Sequence, residues 1–144
     1  MYNNPWIYEN KIFESEDIGD AIGFVYLITN KVNNKFYIGK KSLSMSKTKQ
    51  IKGKKKKSRV ESLWKGYYGS SPALKEDVDR LGKENFKREI LHLCYSKTDL
   101  TYLELREQID RRVLETETAY NDWIMCRVRK VNIKLKSQNL ANSP

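Results

Sequence analysis

The chain has 144 residues, 39% of them hydrophobic and 32% charged, and a formal net charge of +10. That length fits one domain with one modest core, and no apolar run approaches the roughly 18 residues that would span a membrane. Two isolated cysteines, Cys94 and Cys126, and a single histidine, His92, exclude a disulfide framework, a zinc site built on Cys-x-x-Cys pairs and a His-rich metal cluster.

The charge is concentrated. Residues 40–65 hold eleven Lys/Arg (Lys40, Lys41, Lys47, Lys49, Lys52, Lys54, Lys55, Lys56, Lys57, Arg59 and Lys65) against one acid, Glu61, and the rest of the chain is balanced. A second basic stretch, Arg127, Arg129, Lys130, Lys134 and Lys136, follows Asp122 with no further acid. Such clustering favours a polyanion partner, because each phosphate neutralised releases counterions. The bland alternative is a solvated lysine loop that only aids solubility. Met1 to Trp6 has neither a basic start nor an apolar stretch, so no signal peptide is expected and a reducing cytoplasm is the default location.

In chain order, residues 1–20 read as an N-terminal arm that packs Trp6, Ile7 and Phe13 onto the domain. Residues 22–29 are β-branched and aromatic, hence a strand. Asn30 to Lys35 is rich in turn formers, and Phe36 to Gly39 is a second strand, giving an antiparallel hairpin. Residues 42–59 lack periodicity and read as a mobile basic loop of the functional or disordered kind. Glu61 to Tyr67 fits a short helix carrying Leu63, Trp64 and Tyr67, with Trp64 in the core. Ser71 is placed to cap a helix, Pro72 suits its first position, Leu74, Val78 and Leu81 recur at helical spacing, and Gly82 ends it. Phe86 to Cys94 reads as a third strand. Thr98 or Asp99 then caps a long helix to about Glu115, buried through Leu100, Leu103, Ile109, Val113 and Leu114. Tyr120, Trp123 and Ile124 close a domain spanning 21–126, and 127–144 is a basic tail. The expected fold is α+β, with a small three-stranded antiparallel sheet flanked by helices.

Gly23-Phe24-Val25-Tyr26, ten residues, then Tyr37-Ile38-Gly39 resembles the signature hairpin of the GIY-YIG nuclease superfamily, with one extra residue between the first glycine and its tyrosine. The downstream order is similar too. A Ser70-Ser71 pair opens a helix, Gly82 closes it, a strand carries Ile90-Leu91, an acidic helix follows, and then comes Tyr120-Asn121. The resemblance covers residues 21–124. It implies a metal-dependent DNA endonuclease of the stand-alone kind that phages and mobile elements encode, acting on double-stranded DNA in a host-cell cytoplasm as a monomer or weak dimer.

The residues support that chemistry on their own terms. Phosphodiester hydrolysis needs a nucleophilic water, charge stabilisation on the phosphoryl oxygens and help for the leaving oxygen. Two tyrosines on neighbouring strands can converge on one face, and a phenol with a pKa of about 10 needs nearby cations to act as a base. Lys40 and Lys41 follow the second strand and supply such a field. From the resemblance, Tyr26 is the general base or water positioner and Tyr37 its hydrogen-bonding support. One helix glutamate binds a single Mg²⁺ or Mn²⁺. Glu104 matches the family spacing from Leu100, and Glu107, in an Arg-Glu pair, is the alternative. Relatives place an arginine four residues before a His or Tyr; if Tyr67 is that aromatic, the arginine position falls on Leu63. Arg59 is then the guanidinium expected at the scissile phosphate, because its fork suits phosphate better than lysine does, with Lys65, Lys40 and Lys41 as further cations. Asn121 resembles the family's late asparagine, which helps hold the site; a helix-terminus cap is the alternative. Lys54 to Lys57, with Arg127, Arg129 and Lys130 in the tail, are expected to straddle the duplex. The competing reading is a catalytically inactive DNA- or RNA-binding protein on the same fold.

Overall fold

The computed structural model describes residues 2–125. Seven strands and two α-helices follow one another as β1 (Ile7–Tyr8), β2 (Lys11–Ile12), β3 (Gly23–Asn30), β4 (Phe36–Ser42), β5 (Ser44–Ile51), β6 (Lys54–Glu61), α1 (Pro72–Leu81), β7 (Phe86–Cys94) and α2 (Lys97–Asp110). The class is α+β, as expected, but the main sheet has five strands in the order β2-β1-β7-β3-β4. The three expected strands are its centre: β3 pairs antiparallel with both β4 and β7. The N-terminal arm adds the other two, through a short antiparallel pair joined in parallel to β7 at Ile7 and Glu89. Those contacts lie some eighty residues apart in sequence, so no local pattern announces them.

Residues 42–59 are a second correction. They extend β4 to Ser42 and then form a separate two-stranded antiparallel ribbon, β5–β6, registered from Ser44 opposite Glu61 to Ile51 opposite Lys54. Its tip is a two-residue turn with positive φ at both Lys52 (51°) and Gly53 (76°), the geometry whose twist matches a hairpin. The expected helix at 61–67 shrinks to one turn, Trp64–Gly66, because β6 runs on to Glu61.

Helix α1 follows its sequence signals. Ser71 Oγ accepts from the Leu74 amide at 3.3 Å, Pro72 opens the helix, and Gly82 ends it at φ 96°. Helix α2 is capped by Ser96 rather than Thr98 or Asp99 and stops at Asp110. The stripe it turns towards the sheet is Leu100, Glu104 and Gln108. Leu100 and Val113 are buried, while Ile109 and Leu114 are exposed, against expectation. Leu114 lies beyond the end of the helix, whereas Ile109 lies within it on an exposed position, and Leu103 is half-buried against the cluster of Val25 and Ile38.

Two apolar clusters flank the sheet. Trp6, Phe13, Phe24, Tyr26, Trp64, Leu74 and Phe86 lie in one, and Val25, Ile38, Cys94, Leu100 and Val113 in the other. Trp64 is core, as expected; Trp123 is exposed. Arg88 is fully buried in β7, with its guanidinium carbon 4.8 Å from the Trp6 ring centroid and 4.2 Å from that of Tyr68. It donates to the carbonyls of Asn3, Asn4 and Tyr67, tying the N-terminal arm to the segment before α1. No carboxylate pairs with it among the described residues. Replacing it with an apolar chain strands those acceptors, so Arg88→Met is expected to destabilise by about 3 kcal/mol in a urea melt.

Candidate active site

The site forms at the open edge of β4. Opposite Tyr26 on the paired strand stands Gly39, and the pairing of β3 with β7 shifts register between Val25 and Tyr26, the kind of bulge that re-aims a side chain beside a functional site. Tyr26 is fully buried, with its ring 6.0 Å from Tyr37, 5.8 Å from Tyr67 and 5.3 Å from Trp6. Among the described residues its hydroxyl has no hydrogen-bond partner. Burial, reinforced by the neighbouring Tyr67 and Tyr37 hydroxyls, pushes its pKa well above the ordinary phenol value, so it is a neutral phenol. Tyr37 is half-buried and reaches the surface. Its hydroxyl is 3.0 Å from Ser70 Oγ; burial raises its pKa, and the bond to Ser70 opposes that.

Beside Tyr37 opens a cleft of about 350 Å³. Ser70, Ser71 and Pro72 line one wall, Lys40, Thr101, Glu104 and Gln108 the other, and Tyr120 to Trp123 close an end. Lys40 Nζ lies 3.1 Å from Thr101 Oγ1 and 4.0 Å from the Glu104 carboxylate. Burial raises the Glu104 pKa above the ordinary glutamate value, with Lys40 opposing only in part. Glu107, three residues on, is occupied elsewhere. Its carboxylate bonds His92 Nε2 at 3.0 Å and Arg111 Nε at 3.1 Å. Burial would raise its pKa, but those two partners outweigh it and hold the group below its usual range. Of the two candidate acids, Glu104 alone faces the cleft.

Asn121 does not cap a helix. Its Oδ1 accepts from the Ile38 amide at 3.1 Å, and its Nδ2 donates to the Ile38 carbonyl at 2.9 Å, which Gln108 Nε2 also reaches at 3.1 Å. Two side-chain amides thus complete the free edge of β4 between Tyr37 and Gly39. Lys41 lies over the Tyr67 ring, 4.5 Å from its centroid, and Lys65 lies near Tyr2 and Trp64, outside the cleft.

Arg59 requires correction. The ribbon carries it away from the cleft: it bonds Ser44 Oγ at 2.7 Å and lines a separate depression with Ser15, Asp20 and Leu43. Among the described residues no arginine lines the cleft, and Lys40 is its cation. Lys54, Lys55, Lys56 and Lys57 lie in β6, on the ribbon; Arg127, Arg129 and Lys130 lie outside the described residues. The sequence reading did not single out Ser70 as a partner of Tyr37, nor Thr101, Gln108 and Asp122 in the cleft. The only local signal was the i, i+4, i+8 spacing of Leu100, Glu104 and Gln108.

The carboxylate of Glu104, in a cleft that Asp122 also lines, suits a hard cation that keeps most of its waters and takes the rest of its shell from substrate phosphate. Among the described residues no group of three His, Cys, Asp or Glu side chains assembles, so a closed protein cage is not what this site offers. Glu104, undercompensated by Lys40 and open to the cleft, fits the looser arrangement. Among the described residues no helix is long and apolar enough to cross a membrane.

Residues 6–124 match the family described as "Putative endonuclease segE, GIY-YIG domain". Over 98 residues the chain is 34% identical to the "Putative endonuclease segB" of Enterobacteria phage T4, covering 68% of this chain and 36% of that protein. It is 30% identical over 98 residues to the same phage's "Putative endonuclease segE", covering 68% and 39%, and 28% identical over 118 residues to its "Putative endonuclease segD", covering 82% and 45%. The chain therefore spans less than half the length of the curated relatives it matches. No solved structure matches it. The family match extends from the N-terminal strands through the tyrosine hairpin and the Glu104 helix to Asn121 and beyond, and on that extent the chain belongs to the GIY-YIG family.

Proposed function

We propose that this chain is the catalytic module of an endonuclease that hydrolyses phosphodiester bonds in double-stranded DNA with one divalent cation, Mg²⁺ or Mn²⁺. The observation that carries the reading is a half-buried carboxylate, Glu104, sharing one cleft with the Tyr37 phenol and a lysine ammonium. Glu104 holds the cation, which when bound supplies positive charge to the phosphoryl and leaving oxygens. Lys40 neutralises a non-bridging phosphate oxygen, the task the resemblance assigns to an arginine. Tyr37, steadied by Ser70, orients the attacking water. Tyr26, kept neutral by burial, positions Tyr37 rather than taking the proton. Tyr67 carries Lys41 on its face, and Asn121 holds β4 in place. Water adds to phosphorus, the bond to the 3′ oxygen breaks, and one proton passes on balance from the water to that oxygen.

One such site per chain cuts one strand at a time, so a monomer nicks; a double-strand break requires a second copy or a second event. The setting is that of a phage or mobile-element enzyme meeting DNA in a host-cell cytoplasm. The competing reading, an inactive nucleic-acid binder, draws on the cleft's lack of arginine among the described residues. Supercoiled plasmid separates the two. Relaxed circles that form with Mg²⁺, vanish with EDTA and fall about 10²-fold in Tyr37→Phe support the enzyme. Uncut but retarded plasmid supports the binder.

A further inference from the structure

The cleft makes no use of the β5–β6 ribbon. Its two strands pair only with each other, and Met45, Lys47, Thr48, Gln50, Lys54, Lys55, Ser58 and Val60 are all exposed. A lone hairpin is marginal by itself, and this one adds no core. Its root, by contrast, is fixed. Leu43 is buried and bonds the Ile22 carbonyl at 2.9 Å through its amide; the Ser62 amide bonds the Leu43 carbonyl at 2.8 Å. The one acid of the segment, Glu61, is held there by Trp64 Nε1 at 3.1 Å and Ser15 Oγ at 2.9 Å. Beyond that anchored carboxylate, the projecting part has seven lysines, Arg59 and no acid.

Each strand has eight residues, a length of about 26 Å at the usual rise. The register puts Ser44, Ser46, Thr48 and Gln50 on one face with Lys55 and Arg59, and Met45, Lys47, Lys54, Ser58 and Val60 on the other. Cations thus occupy both faces, and long lysine side chains from either face can reach past the strand edges to phosphates on both rims of a groove. Arg59 already engages Ser44 at the root. That leaves Ser46, Thr48 and Gln50 as a row of exposed, neutral hydrogen-bonding groups. Alternate residues of a strand are about 6.8 Å apart, the rise of two base-pair steps at about 3.4 Å each.

Resting on the reading of this chain as a DNA enzyme, we infer that the ribbon lies in the major groove of duplex DNA. Ser46, Thr48 and Gln50 face the base edges, and the lysines meet the flanking phosphates. A major groove about 12 Å wide admits a two-stranded ribbon, and Ser, Thr and Gln side chains read its donor and acceptor pattern. The anchored root then sets the distance from the segment read to the bond cut.

The test uses the full chain and duplexes recovered by binding from a random-sequence pool, with binding measured in EDTA and cleavage measured separately in Mg²⁺. Partial dimethyl sulfate treatment methylates guanine N7 in the major groove and adenine N3 in the minor groove. Interference at guanine N7 is expected; interference confined to adenine N3, or none at all, overturns the inference. Replacing Lys47, Lys52, Lys54 and Lys55 together by Gln is expected to reduce the slope of log affinity against log salt by about 3.6, at roughly 0.9 per phosphate contact. Gln50→Ala with Thr48→Ala is expected to keep that slope and lose a preference of roughly 5- to 150-fold at one or two base positions. An unchanged slope in the lysine variant, or an unchanged preference in the other, overturns it. Failure to cut DNA while guanine N7 interference persists removes the catalytic reading and leaves the groove assignment standing; cutting without that interference does the reverse.

Discussion

Glu104→Gln is expected to lower plasmid nicking by about 10³-fold or more, roughly 4 kcal/mol of transition-state stabilisation, while making the metal-free protein no less stable. The two effects have opposite signs for one reason. Burial raises the Glu104 pKa in the folded chain, and Lys40, 4.0 Å away, compensates only in part. A carboxyl whose folded pKa lies above its unfolded value favours the fold most when protonated. That contribution is complete below the unfolded pKa and is lost as pH rises through the folded one. At neutral pH the ionised group therefore weighs against the fold, and Gln removes the charge at similar shape. Thermal melts of the two proteins at pH 7 are expected to place the variant at or above the wild type, the gap closing below about pH 4. Nicking has the reverse dependence, because only the carboxylate holds a cation. It is expected to rise with pH through a window above the ordinary glutamate range. Glu107→Gln is the contrasting variant: it removes a partner of His92 and Arg111 outside the cleft and leaves the cleft carboxylate in place.

Gly39→Ala is expected to impair both stability and cutting. A methyl group built at Gly39 overlaps Tyr26 Oη and lies 2.7 Å from Tyr26 Cζ and 2.8 Å from Tyr37 Cε2. The Tyr26 ring has no room to yield, since it is fully buried against Trp6 and Tyr67, so the half-buried Tyr37 is the ring that moves. Overpacking of this kind costs about 1–3 kcal/mol, readable as a lower urea midpoint. The displaced Tyr37 hydroxyl is expected to lose about 10²-fold in nicking rate, the usual consequence of moving an orienting group by an ångström. Asn121 and Gln108 sharpen this expectation. They grip both sides of the Ile38 peptide, so β4 cannot slide outward to relieve the clash.

The glycine of Tyr37-Ile38-Gly39 thus has a physical reason that its motif alone does not state: the Tyr26 side chain lies across it. The same hairpin shows how far local signals reach. Strand β7 spans the residues expected of it, α1 begins and ends at its Ser71, Pro72 and Gly82 signals, and β3 and β4 pair as their alternating aromatics and turn residues imply. In the ribbon the local signal failed. Lys52-Gly53 is not one of the Asn-Gly or Asp-Gly pairs that mark a hairpin, and lysine-rich flanks lack the apolar alternation by which a strand is read.

The amino-acid sequence alone determined the elements whose cause is local: the caps of α1, strand alternation, the β3–β4 hairpin turn, and the concentration of positive charge in one segment. Tertiary structure decided what depends on approach between distant segments. It put Ile7 beside Glu89, buried Arg88 against the carbonyls of Asn3, Asn4 and Tyr67, took Arg59 out along the ribbon, and separated Glu104 from Glu107. The last of these shows why. Two glutamates three residues apart on one helix are nearly equivalent to any pattern of spacing, and they differ only in what the sheet presents to them. Lys40 at the edge of β4 leaves one carboxylate underpaired and open to the cleft, while His92 on β7, with Arg111, satisfies the other.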